Sequence, residues 1–229
     1  MMRIKELKLY TRHPGTQRWF YSNVLELEVL RRTGREVSFA IGESILTLVT
    51  SESAHPYHFA INIPSSKEEK ALEWLKERVE ILDDEGREIQ PFDSWNARAM
   101  YFYDADKNIV EFISRRNLKY PAGRTFDPGR MFEISEIGVP VNNIEKVFNA
   151  LSNELGIGIF DGDFRQFCAI GGETGLFICI NKRKKTWFPV GDKAYTVDFT
   201  AIVEVGGDEF LVSFEKGNIR VEQAEIAVH

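Results

Sequence analysis

Apolar and polar positions alternate with period two along KELKLYT, then shift to near-helical spacing in PGTQRWFYSNVLE, where Trp19, Phe20, Val24 and Leu25 would share a face. Period two returns in LEVLRRT, EVSFAIG and SILTLVT, so residues 5–50 are predicted to run strand, helix and three strands, a βαβββ order. A second cycle starts at YHFAINIP. Its helix, SSKEEKALEWLKERVEIL, carries Ser66 and Glu69 as a capping box and an apolar stripe of Ala71, Leu72, Trp74, Leu75 and Val79. GREIQPF, ARAMYFYD and NIVEFIS supply the remaining strands. A recurrence at about 55 residues is itself a fold signal.

The stretch NLKYPAGRTFDPGR, residues 117–130, gathers Pro, Gly and charge without periodicity and is predicted to connect two halves, with a boundary near Gly123. The cycle then restarts. FEISEIGVPV reads as a strand, NNIEKVFNALSNELG as a helix stopped by Gly156, and IGIFDG, FRQFCAIGG and GLFICINK as strands. After Lys193 come KAYTVDFTAIVEV, EFLVSFEKG and IRVEQAEIAV, with no helical stretch, so the fourth cycle is abbreviated. The expected fold class is α+β, built of tandem βαβββ modules. Residues 1–116 would form one paired-module domain, 117–130 a linker, and 131–229 a second, less regular domain.

Composition narrows the class. Hydrophobic residues make up 43% of the 229 and charged residues 28%, with no apolar run near the ~18 residues that would span a bilayer. The opening MMRIKELKLYT interrupts apolar positions with charge, unlike a secretory leader, so a cytoplasmic location is expected. Cys168 and Cys179 are too few for a disulfide framework and are expected as buried thiols. A net charge of -6 argues against nucleic acid as a partner. The one basic run, Lys182 to Lys185, reads as a solvated hairpin loop; the functional alternative is a clamp on an acidic ligand, covered by Trp187 and Phe188. P-loop, G-x-S-x-G, H-E-x-x-H and dinucleotide fingerprints are missing from the sequence.

Two segments carry a family resemblance. KELKLYT followed by RWFYSNVLELEVL resembles the opening of glyoxalase, bleomycin-resistance and ring-cleaving dioxygenase proteins, with Glu26 where those proteins usually have Gly. YFYDADKNIVEF resembles their "DPdGn.iEl" ending, with Ala105 and Lys107 in place of Pro and Gly. With four cycles in order, the chain is identified as similar to the vicinal oxygen chelate superfamily. That resemblance implies paired modules that curl their sheets into cups and hold a divalent metal from four equivalent strand positions.

By similarity the four positions fall on Glu6, Thr47, His58 and Glu111, and the resemblance implies Glu6, His58 and Glu111 as metal ligands. Strand parity agrees: with Leu7, Leu9, Phe59, Ile61, Ile63, Val110 and Phe112 under the helices, Glu6, Lys8, His58, Ala60, Asn62 and Glu111 turn to the cleft. One imidazole and two carboxylates suit Zn, Mn, Ni or Fe(II), although a metal-free cleft satisfies the same residues. Glu111 and Glu6 are the candidate catalytic carboxylates. Lys8, Asn62, Trp95, Arg98 and Tyr101 are candidate substrate contacts. In the second half Glu136 and Asp198 stand at the first and third positions with Ile178 at the second, a poor transition-metal set. His13 and His55 sit in turn sequence beside prolines.

The expected function is that of a metal-assisted lyase, isomerase or dioxygenase-like enzyme acting on a small oxygenated organic molecule, as a monomer or homodimer. The alternative is a metal-free binding or sequestration protein of the bleomycin-resistance type; a fold retained without chemistry is the third possibility.

Overall fold

The computed structural model of the protein describes residues 1–121 and 123–224; the end of the last predicted strand lies outside them. The first module is β1 (Met2–Thr11), α1 (Pro14–Trp19) with a π-helical turn at Phe20–Val24, then β2 (Val29–Arg32), β3 (Glu36–Ile41) and β4 (Ser44–Thr50). The second is β5 (His58–Ile63), α2 (Glu68–Lys76), β6 (Ile81–Leu82), β7 (Gln90–Phe92), β8 (Ala97–Tyr103) and β9 (Ile109–Arg115). The third is β10 (Glu133–Val141), α3 (Ile144–Leu155), β11 (Ile159–Gly162), β12 (Phe167–Gly172) and β13 (Gly175–Asn181). Among the described residues the fourth has strands only: β14 (Phe199–Val205), β15 (Asp208–Glu215) and β16 (Asn218–Gln223). This is the α+β fold of repeated βαβββ modules with a shortened last member.

The modules do not pair by halves. A seven-stranded sheet runs β16-β15-β14-β1-β4-β3-β2, joining the first module to the fourth through antiparallel β1 and β14. A nine-stranded sheet runs β11-β12-β13-β10-β5-β9-β8-β6, with β7 on β8, joining the second module to the third through antiparallel β5 and β10. The grouping of 1–116 against 131–229 therefore differs from the grouping of strands: inner modules share one sheet and outer modules the other. Every residue of β5 and of β10 is buried, as expected of strands at the joint of a covered sheet.

The two sheets meet where β1 runs along β10. The Ser44 hydroxyl donates to the Ile4 carbonyl at 2.5 Å and accepts from the Ile134 amide at 2.9 Å, and the Thr174 hydroxyl donates to the Met2 carbonyl. Helices pack within this joint. Tyr21 and Gln17, from α1 and its continuation, donate to buried Asp104 in the β8–β9 turn, and α3 lies against both β16 and β13. Burial pushes the Asp104 carboxyl up, against the lowering effect of its hydrogen bonds from Tyr21, Asn108 and Gln17. Among the described residues no helix is long and apolar enough to cross a membrane.

Two helix signals fare differently. Gly156 ends α3 in the left-handed conformation (φ 65°), and the Asn143 side chain accepts from the Lys146 amide at its start. The Ser66–Glu69 capping box does not form. Ser66 is itself left-handed (φ 60°), its hydroxyl turns to the Ser65 carbonyl, and α2 starts two residues later at Glu68. Glu68 is buried and accepts from Ser114, so tertiary contacts set that helix start. Both cysteines are buried free thiols on facing strands.

Candidate active site

Alternation along the nine-stranded sheet sends two sets of side chains to opposite faces. Phe59, Ile61, Met100, Phe102, Val110 and Phe112 enter the main core with the helices. Ala60, Ala97, Ala99, Tyr101, Ile113 and Ile178 form a second apolar cluster on the other face, whose alanines leave room above them. There a cavity of about 310 Å³ opens, at the lower end of the range for small-molecule sites. Trp95, Tyr101, Phe167 and Phe188 stand in its walls with Ile178 and Ile180.

Three ionisable side chains converge inside it. His58 from the start of β5, Glu111 from β9 and Glu136 from β10 each present a donor atom within 4.8 Å of the others, and all three are buried. Glu136 reaches this face through a β-bulge. The β5–β10 register slips between Ile134 and Glu136, so Glu133 stands opposite Asn62 and Glu136 opposite Ala60. Without the extra residue Glu136 would point into the helix-side core.

His58 Nδ1 lies 3.2 Å from the Ile109 carbonyl oxygen, which can only accept, so the ring proton sits on Nδ1. Nε2 then carries a lone pair, 3.5 Å from Glu111 Oε2. Burial lowers the imidazole to about 4, against the raising effect of the Ile109 bond, so the contact is between a neutral ring and a carboxyl group rather than an ion pair. Burial also raises Glu111 well above the usual carboxylate range; the Glu136 charge adds to this, while Arg115 and Tyr101 oppose it. Glu136 is raised by burial and held back by Arg115, its ion-pair partner. Imidazole nitrogen resonances of His58 are expected to stay those of the neutral Nδ1–H tautomer from pH 8 down to about 5; a transition near the usual ~6.5 would contradict the buried arrangement.

A strap closes one side. Residues Lys185 to Phe188 line the cavity, with the Trp187 ring 4.8 Å from His58 and Phe188 edge-on to Tyr101 at 5.5 Å. Gly138 on β10 must be bare, because a Cβ there would stand 2.7 Å from the Trp187 ring. The Tyr103 hydroxyl donates to Asp192 at 2.6 Å and ties down the far end of the strap.

Solved structures share this architecture. A putative dioxygenase from Bacillus subtilis matches over 96% of this chain and 84% of its own, with a TM-score of 0.64 and 14% identity. The chain has the vicinal oxygen chelate fold. A point mutant of glyoxalase I from Zea mays matches over 78% of this chain and 66% of its own, with a TM-score of 0.52 and 14% identity. No protein-family model matches the sequence, and no curated protein matches it. At these identities the likeness speaks to the vicinal oxygen chelate fold and not to a reaction.

Within that fold the residues expected from the sequence are scattered over two sheets. His58 and Glu111 come together, and Trp95 and Tyr101 line their cavity. Glu6 does not join them. It lies on β1 in the seven-stranded sheet, where Thr47 donates to it at 2.7 Å and Ser38 bonds Thr47 in turn. The motif IKELKL that holds Glu6 recurs as ISEIGV around Glu136, and both strands bulge at the same place. Glu136 is thus the counterpart of Glu6 in the other sheet.

Lys8 accompanies Glu6, half-buried on β1. Asn62 is buried behind the cavity, donating to Glu133 and to the Glu173 carbonyl. Arg98 alternates to the helix side and reaches Glu69 of α2 at 3.3 Å. Asp198 precedes β14 and accepts from the Lys216 amide. His13 pairs with Asp106 at 2.7 Å in an exposed turn. Arg115, which alternation along NIVEFISR places on the same face as Glu111 and Ile113, was legible in the sequence and is absent from the expected set.

Proposed function

We propose that this protein is a divalent-metal-assisted enzyme acting on a small oxygenated organic molecule, with His58, Glu111 and Glu136 as the metal-holding residues. The observation that carries this reading is the convergence of His58, Glu111 and Glu136, whose donor atoms lie within 4.8 Å of one another in a buried cavity with the His58 Nε2 lone pair turned toward Glu111. The donor set fits Zn, Mn, Ni or Fe(II), and the Nδ1–H bond to a backbone carbonyl is the support a ligating imidazole needs. A metal bound there would supply Lewis acidity toward an oxygen pair or a water molecule.

The protein's own groups have separable tasks. The aromatic walls and the strap exclude water and orient a compact ligand. Glu111, with its proton affinity raised and the Tyr101 hydroxyl beside it, is suited to take a proton from the ligand at a carboxylate oxygen. Ile178 lines the cavity with an apolar side chain, leaving that side of the site to the ligand.

Elemental analysis of untagged protein, purified without chelator and remetallated with each of the four metals, tests the reading. Near-stoichiometric metal in the wild type, lost in Glu111→Ala, is expected. Metal-free wild type after all four treatments would reject it in favour of a binding protein, recognisable by ligand affinity insensitive to chelator.

A further inference from the structure

Arg115 is among the largest fully buried side chains of the described residues. It projects from β9 toward the same sheet face as Glu111, four residues on. Its Nη2 pairs with Glu136, its Nε donates to Asn62 Oδ1 at 3.3 Å, and its guanidinium carbon lies 5.3 Å from the centre of the Trp95 ring. Among the described residues Nη1 has no hydrogen-bond partner. A fold seldom buries a guanidinium with an idle nitrogen, because desolvating the charge is costly unless something nearby needs it.

What needs it is the pair of carboxylates. Ionised, as holding a metal requires, Glu111 and Glu136 would bring two negative charges into a buried site beside a neutral imidazole, and Arg115 is the buried cation that pairs with Glu136 and lies close enough to Glu111 to lower its proton affinity. Its ion pair engages Glu136 Oε1, which leaves Oε2 as the oxygen that can face the cavity.

We infer that Arg115 is a built-in counter-cation that stabilises the metal-free carboxylate pair and holds down the affinity of His58, Glu111 and Glu136 for a divalent ion. The inference rests on the metal-site reading above. With Arg115 in place the charged site carries one net negative charge; a divalent ion turns this to one positive, and a singly anionic chelating ligand brings it to zero. The arrangement therefore favours a metal that arrives or stays with a monoanionic oxygen ligand over a free ion, since net charge is penalised in a desolvated pocket.

The test is calorimetric titration of Mn²⁺ and of Zn²⁺ into the full chain, as wild type, R115M, R115Q and R115K. Loss of the charge in R115M and R115Q is expected to tighten binding at least about tenfold. R115K keeps the charge while losing the fork and is expected to stay within a few-fold of wild type, whereas a purely structural role would weaken all three variants. Binding by R115M and R115Q with none by wild type would support the inference and reject the metal reading of the native site. Binding by wild type that is unchanged or weaker in R115M and R115Q would overturn the inference and leave the metal reading standing. Absence of binding in all four proteins would overturn both. Should R115M and R115Q fold only when expressed and purified with the metal, the inference is supported; failure to fold even then overturns it.

Discussion

Alanine at position 136 is expected to remove bound metal as thoroughly as alanine at position 58, with affinity falling on the order of 100-fold or more in each, while Glu6→Ala leaves metal content unchanged. Losing an outer-shell partner costs 10–100-fold in characterised sites, and losing a donor costs at least as much. The contrast is sharp because Glu6 and Glu136 occupy the same place in the same local motif. Glu6 has its carboxylate satisfied by Thr47 in one sheet, while Glu136 faces His58 and Glu111 in the other. Inductively coupled plasma analysis of the three remetallated variants checks it. Metal lost in Glu6→Ala and kept in Glu136→Ala would mean that the cavity on the nine-stranded sheet is not the metal site.

Gly42→Ala is expected to lower the stability of the whole chain by roughly 2–4 kcal/mol, from backbone strain and overpacking together. Gly42 turns the β3–β4 hairpin with φ 54°, and an added Cβ would fall 2.0 Å from the Phe132 carbonyl oxygen. That carbonyl also accepts from the Glu43 amide at 2.7 Å, so the hairpin of the outer sheet is pressed onto the entry to β10 of the inner one. Relief would require the two sheets to separate there. Gly86→Ala is the control: its φ is 80°, but nothing lies within 4 Å of an added Cβ, so only the conformational term of about 1 kcal/mol is expected. Urea unfolding measures both. Equal losses in the two variants would show that the close approach of the hairpin to Phe132 carries no energy.

The difference between what was legible and what was not follows from the range of each interaction. Periodicity is local. It marked the strands of the four modules except β6, which fell inside the predicted helix ending at Leu82, together with the helix stop at Gly156, the missing helix of the last module and the inward parity of His58 and Glu111, because each depends on neighbours a few residues away. Parity failed where it was not applied, at Arg98, which alternates to the helix side, and at Arg115, which alternates to the cavity side. The capping box failed for another reason. Glu68 found a buried partner in Ser114, 46 residues on, and that contact outweighed a local motif worth about 1 kcal/mol.

Which modules share a sheet is a question of partners 71 to 203 residues apart, and nothing in the hydrophobic pattern distinguishes β5 pairing with β10 from β1 doing so. All four leading strands have free edges of similar character until the chain collapses. By itself the sequence determined the modules, their order, their parity and the residue types available for chemistry. Tertiary structure alone decided that Glu136 rather than Glu6 meets His58 and Glu111, that a bulge turns it to the right face, and that Arg115 lies behind it, because strand pairing and bulges are settled by long-range packing that no local pattern encodes.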